Sequence, residues 1–183
     1  VFNFSSDVHR ADLFRLKLSD RDSTSLLATH LDINFTGAKL DDISGMIRVE
    51  NTTYQEGNQS YRLDSLIITT HTAGDGIRSL GIASDLVDAG FTGNFNFSEL
   101  PLIFDKYLAA YSKILPGDLS TKNGNGSLHV IDFWMDINDS EPLTELFLPQ
   151  LQLSSPARLT GYFHSEDHKL DLEFCADYID YQS

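Results

Sequence analysis

The stretch from Leu80 to Pro101, LGIASDLVDAGFTGNFNFSELP, constrains the fold of this chain more than any other segment. It contains a short strand, a polar turn, and a second strand in which large apolar residues occupy alternate positions. Weaker copies of its first part occur in INFTGAKLDDISGMIRV, from Ile33 to Val49, and in LQLSSPARLTGYF, from Leu151 to Phe163. The repetition predicts a sheet built from recurring β-hairpins.

Each copy carries a glycine two residues after an apolar residue, at Gly45, Gly93 and Gly161. A glycine on an apolar strand face usually marks a bulge or a close backbone approach, and here it could let large rings interdigitate. The alternation around these glycines predicts one apolar groove on a curved sheet. Its expected lining is Ile33, Phe35, Ile47, Phe91, Phe95, Phe97, Phe133 and Phe163.

Three other segments carry weaker signals for strands and loops. Alternating apolar residues predict a strand over Phe14–Leu18, and a polar stretch with one glycine predicts a loop over Asn51–Ser60. The last strand is expected to be the longest, running from Leu170 to Tyr178.

Helical periodicity appears twice. Over ELPLIFDKYLAAYSKIL, from Glu99 to Leu115, the apolar residues fall at helical spacing after a possible N-cap at Ser98. We expect this helix to pack on the apolar side of the sheet and to narrow the groove. The covering residues would be Phe104, Tyr107, Leu108 and Tyr111. A shorter helix is predicted after Ser140, ending before Pro149.

The expected fold is therefore mainly β: a curved, gutter-like antiparallel sheet of repeated hairpins with one long and one short amphipathic helix. No low-complexity linker interrupts the chain, so residues 1–183 are predicted to form a single β-rich domain. The sequence begins in mid-pattern with VFNF, which indicates a fragment of a longer protein.

The charge balance limits the classes of partner. The chain has 13 Lys and Arg against 27 Asp and Glu, a formal net charge of −14. Nucleic acid is not expected as a partner, because phosphate binding needs clustered Lys and Arg. The same deficit disfavours electrostatic docking on anionic lipid headgroups.

Motifs for catalysis or metal binding are weak or missing. His164 and His168 lie four apart in HSEDH, but a solvated hairpin tip explains this segment better than a zinc site. The sequence contains neither a G-x-S-x-G elbow nor a phosphate-binding glycine loop, and one cysteine precludes an intrachain disulfide. We predict no catalytic residue, no metal, no cofactor and no enzymatic activity.

Two segments resemble the TamB group of the AsmA-like superfamily, as found in Bacteroides-like bacteria. They are IRSLGIASDLVDAGFTGNFNFSELPLIFDKYL and LTELFLPQLQLSSPARLTGYFHSEDHKLDLEF. The first is similar to the family in its Ser-Asp turn, its G-x-F and its helix beginning at Leu-Pro. The second has a Leu-Pro helix exit and a serine-rich turn before another L-x-G. Each segment has 32 residues, so together they cover about a third of the 183-residue chain.

The resemblance implies a periplasm-spanning envelope protein of a Gram-negative bacterium, anchored in the inner membrane in its full-length form. Such proteins are implicated in phospholipid transport and in outer-membrane protein assembly. Expected partners are phospholipid acyl chains or unfolded outer-membrane β-strands, with a BamA-like outer-membrane partner reached by the full-length protein. No catalytic residues are implied.

Two other hypotheses stay open. One is a β-sandwich binding or adhesion domain of a bacterial surface protein, in which the apolar faces are buried on each other. The other is a carbohydrate-active enzyme on a β scaffold, in which two of the many carboxylates meet in a groove.

Overall fold

The computed structural model describes residues 1–19, 25–98, 129–167 and 169–181. Within these ranges the chain forms β-strands and one α-helix, α1 (Glu141–Phe147). The strands are β1 (Phe2–Asp12), β2 (Ser25–Thr36), β3 (Ser44–Glu56), β4 (Gln59–Thr72), β5 (Arg78–Ser84), β6 (Val87–Asn94), β7 (Val130–Ile137), β8 (Leu151–Leu153), β9 (Ala157–His164), β10 (Lys169–Cys175) and β11 (Ile179–Tyr181).

Nine strands form one open antiparallel sheet in the order β1-β2-β3-β4-β5-β6-β7-β9-β10. Strands β1 and β10 are its two edges, and β8 and β11 form a separate two-stranded sheet. The predicted mainly β, antiparallel fold is thus confirmed at this level. The short predicted helix is present as α1. The long helix predicted over residues 99–115 lies outside the described residues.

Ladder register places apolar side chains in rows that run across the sheet. One row contains an apolar residue from every strand: Phe4, Ile33, Ile47, Ile68, Ile82, Ala89, Met135, Leu159 and Phe174. The row beside it contains Phe2, Phe35, Gly45, Thr70, Leu80, Phe91, Phe133, Gly161 and Leu172. We call this side the apolar face and the opposite side, which carries the alternating residues, the polar face.

The best-packed part of the molecule lies on the apolar face over β6, β7 and β9. Phe95, Ile131 and Phe163 are at most 3% exposed and form a cluster. The Phe97 ring meets Phe95 edge-on, with centroids 5.4 Å apart. Phe91 is stacked on its ladder partner in β7. Aromatic contacts therefore fix this end of the sheet.

Two of the repeat glycines satisfy a backbone requirement, and the third makes room for a ring. Gly45 and Gly93 both have φ of +156°, and a Cβ there would collide with the carbonyl oxygens of Asn34 and Val130. At Gly161, an added Cβ would collide with the Phe133 ring on the neighbouring strand. The Phe133 ring therefore lies directly over this glycine.

The strand predicted over Phe14–Leu18 is wrong. These residues form a turn, and Phe14, Leu16 and Leu18 are all exposed. Asp12 ends β1 because its side chain accepts a hydrogen bond from the Arg15 N–H and its carbonyl accepts one from the Leu16 N–H. Local hydrogen bonding by an aspartate competes with the sheet and stops the strand.

The loop predicted over Asn51–Ser60 is also wrong. Strands β3 and β4 extend through this segment and leave only Gly57 and Asn58 as the turn. Gly57 has a φ of +58°, which a two-residue hairpin turn favours. Polar residues are tolerated in these strands because cross-strand pairs such as stacked Tyr54 and Tyr61 stabilise them.

The last strand is shorter than predicted. It ends at Cys175, and the chain then turns to form β11, which pairs with β8. The turn is held by Ser154, whose hydroxyl accepts hydrogen bonds from the backbone N–H groups of Asp177 and Tyr178.

Candidate functional site

The apolar face is the surface on which most of the predicted groove residues lie. Ladder register puts Ile33, Phe35, Ile47, Phe91, Phe133 and Phe163 on this one side. Phe95 and Phe97 follow the end of β6 and pack into the aromatic cluster rather than along a strand. The four residues predicted to cover the groove, Phe104, Tyr107, Leu108 and Tyr111, lie outside the described residues.

Large side chains of the apolar face remain accessible at both edges of the sheet. On β1, Phe2 is 55% exposed and Phe4 is 46% exposed. On β10, Leu172 is 53% exposed and Phe174 is 43% exposed. Between these edges, the apolar side chains are mostly half-buried. The apolar face therefore reaches solvent on both flanks.

The apolar face is wide enough for an extended hydrocarbon chain. Nine strands at a spacing of ~4.8 Å span roughly 38 Å from β1 to β10. Ile47, Ile68 and Ile82 succeed each other along the middle of the row without an intervening polar group. Such a surface binds by excluding water, at ~0.8 kcal/mol for each CH₂ group buried.

Charged and polar side chains dominate the polar face. At its β1 end, His30 donates hydrogen bonds from Nδ1 to Asp7 at 2.6 Å and, when doubly protonated, from Nε2 to Asp32 at 3.1 Å. The hydrogen bond with Asp7, and then that with Asp32, raise the pKa of His30. A hydrogen bond with Ser5, followed by that with His30, lowers the pKa of Asp32. This group is a cross-strand electrostatic clamp that joins β1 to β2.

Trp134 is an unforeseen residue of the polar face. It is the only tryptophan of the chain, and it is 40% exposed between two residues of the apolar face, Phe133 and Met135. Two depressions, of about 440 Å³ and 330 Å³, lie on either side of it. The sequence did contain a signal for this placement. Side chains alternate between the two faces of a strand, so a tryptophan between two apolar-face residues lies on the polar face.

Metal-ligand geometry is not seen in the described ranges. No group of three or more His, Cys, Asp or Glu side chains there could hold a metal ion. His164 instead accepts a hydrogen bond from the Asp167 N–H at the tip of the β9–β10 hairpin. His168 lies outside the described residues.

No helix in the described part of the chain has the length and apolar character needed to cross a membrane.

No family model, curated protein or solved structure matches the chain. The fold defines the class to which the protein belongs: an open, antiparallel nine-stranded sheet with one apolar and one polar face. The resemblance carried by residues 77–108 and 143–174 remains a prediction.

Proposed function

We propose that the protein is a non-enzymatic, lipid-handling module of the TamB type, whose apolar face shelters phospholipid acyl chains. The observation that carries the proposal is the apolar row from Phe4 to Phe174, which crosses all nine strands and stays accessible at both ends. Large accessible apolar surfaces mark interaction sites for proteins, membranes or apolar ligands.

Acyl chains fit this surface better than an unfolded β-strand. The strands between β1 and β10 pair on both sides, so their backbone groups are engaged in the ladder. An incoming strand needs unpaired N–H and C=O groups, which an open sheet offers only at its edges. An acyl chain needs only apolar side chains. A zwitterionic phospholipid suits a protein with a net charge of −14 better than an anionic one.

The finer architecture belongs to the same proposal. The right-handed twist of a nine-stranded sheet would curl it into a gutter, with the acyl chains along the concave side. The full-length protein would be anchored in the inner membrane, cross the periplasm of a Gram-negative bacterium, and meet a BamA-like partner at the outer membrane.

A photo-crosslinking experiment tests the proposal. The purified protein is irradiated with a phosphatidylethanolamine whose acyl chain carries a diazirine, and the labelled peptides are identified by mass spectrometry. Labels should fall on peptides of β5, β6 and β7. Ile82→Asp, in the middle of the apolar row, should strongly reduce labelling. Ala83→Asp, next to it on the polar face, should leave labelling unchanged.

Equal labelling of the two variants would refute acyl-chain binding on this face. If no phospholipid co-purifies and no label is captured, the β-sandwich binding or adhesion domain becomes the better hypothesis. Circular dichroism of both variants verifies that the sheet is intact.

A further inference from the structure

The position of Trp134 calls for an explanation, because its neighbours on the polar face are charged or polar. The pyrrole part of the indole packs on Gly90, its ladder partner in β6, where an added Cβ would collide with Nε1. That glycine lets the ring lie low on the sheet. The rest of the ring is accessible, and it forms the wall between the two depressions.

Hydroxyls and carboxylates line the larger depression beside the ring. Asp132 and Asp136 lie two residues before and after Trp134 on the same strand and face, and Glu173 lies in the same row two strands away. Arg158 pairs with Asp136 at 3.2 Å. Within the described part of the chain, the carboxylates of Asp132 and Glu173 have neither a hydrogen-bond donor nor a cation as partner.

At another position on the polar face, an aromatic ring and a carboxylate already hold an ammonium group. The Nζ of Lys169 lies 5.7 Å from the centroid of the Tyr162 ring and 2.7 Å from Oδ2 of Asp171. An ammonium group is thus held there by an aromatic ring and a carboxylate together. Around Trp134 the ring and the carboxylates are present, and the ammonium group is not supplied by the described residues.

We propose that Trp134, with Asp132 and Glu173, binds an organic ammonium ion on the polar face. A tryptophan ring is the best cation–π acceptor among the side chains. The two unpaired carboxylates add Coulombic attraction for a cation and none for a neutral molecule. These charges favour an ammonium ion over a neutral saccharide, which would also stack on an exposed tryptophan.

This site is independent of the proposed lipid surface, because it lies on the opposite side of the sheet. The ammonium group could belong to a small amine or to the headgroup of a phospholipid. Parallel titrations with free choline and with phosphatidylcholine vesicles distinguish these sources. Binding of choline alone would indicate a small amine, and binding of both would indicate a phospholipid headgroup.

Trp134 provides its own readout, since it is the only tryptophan. Choline chloride is titrated while the tryptophan fluorescence is recorded at constant ionic strength. The control ligand is 3,3-dimethylbutan-1-ol, which has the same shape without the charge. Choline should produce a saturable change, and the neutral alcohol should bind about tenfold more weakly.

Variants test the carboxylates separately. Asp132→Asn combined with Glu173→Gln should weaken choline binding about fivefold or more. The control, Asp42→Asn combined with Asp180→Asn, makes the same change in net charge at distant exposed positions and should retain binding. Trp134→Leu should abolish choline binding. Calorimetry measures this, because the variant has no tryptophan fluorescence.

Three outcomes would overturn the proposal: equal responses to choline and to the neutral alcohol, equal choline binding by both double variants, or a saturable response to a neutral sugar without one to choline. The comparison of choline with the neutral alcohol uses the wild-type protein, so it tests the proposal even if a variant folds poorly.

Discussion

At the scale of single residues, His30 shows how the polar face holds an edge strand. Strand β1 pairs only with β2 among the described residues, and the contact between His30 and Asp7 joins these two strands. Asp32 presents a second carboxylate to His30 from β2, Glu50 is the ladder partner of His30 in β3, and Arg48 acts on Asp32. Protonated histidine therefore offsets a group of like charges on this edge.

The contribution of His30 to stability should depend on pH. Its pKa is raised on folding, so the stabilisation is fully present below the unfolded value of 6.5 and is lost as pH rises through the folded value. The pKa of Asp32 is lowered, so its share is present above 3.8 and is lost as pH falls through the folded value. The free energies of unfolding of wild type and His30→Gln should therefore differ most between pH 3.8 and pH 6.5.

Urea melts of both proteins from acid to mildly alkaline pH measure this difference. His71→Gln serves as the control, because His71 is exposed and makes no ion pair within the described ranges. If the difference in free energy of unfolding between wild type and His30→Gln stays constant with pH, the stabilisation by His30 does not depend on its protonation.

At the scale of elements, buried serines join α1, β8 and β11. The Ser140 hydroxyl donates to the Leu153 carbonyl at 2.6 Å and accepts a hydrogen bond from the Ser155 hydroxyl at 2.9 Å. Ser140 therefore precedes the helix without capping it through its side chain. Ser154 accepts two backbone N–H groups from the turn before β11. Hydrogen bonds, rather than apolar packing, hold this small unit together.

Ser154→Ala should loosen this unit while leaving the main sheet intact. Two backbone N–H groups would lose their partner, which costs ~1–3 kcal/mol when such groups stay buried. Amide hydrogen exchange over β8 and β11 should therefore accelerate about tenfold or more. Ser60→Ala, at an exposed position of β4, should leave exchange unchanged. Unchanged exchange in Ser154→Ala would mean that the pairing of β8 with β11 alone closes the turn.

At the scale of the whole molecule, packing is uneven along the apolar face. The aromatic cluster lies over β6, β7 and β9, while the large side chains of β1 and β10 are exposed. Stability should therefore be concentrated around the cluster and decline towards both edges.

Two phenylalanines of the same face test this gradient. Phe163 is 3% exposed in the cluster, and Phe174 is 43% exposed on the edge strand β10. Phe163→Ala should reduce the free energy of unfolding by ~3–5 kcal/mol. Phe174→Ala should cost less than half as much, because little packing is lost there. Equal losses in urea melts would indicate a uniformly packed face and would also weaken the case for an accessible lipid surface.

Much of the fold could be predicted from local sequence patterns. Alternation around Phe91 and Phe133, the glycines of the three repeats and the short helix after Ser140 could all be predicted, because strand and helix periods depend on neighbouring residues. The pattern failed at Phe14–Leu18 and at Asn51–Ser60, where Asp12 and the turn at Gly57 decided the outcome. Alternation does not show whether a strand finds a partner.

By itself, the sequence determined which residues alternate and therefore that one side of each strand is apolar. Only the tertiary structure decided the order of the nine strands and the register that aligns Phe4 with Phe174 in one row. It also brought Trp134 and Glu173 onto one surface, although they lie far apart in the chain. The physical reason is that register arises from pairing between distant segments, where a shift of one residue exchanges the two faces.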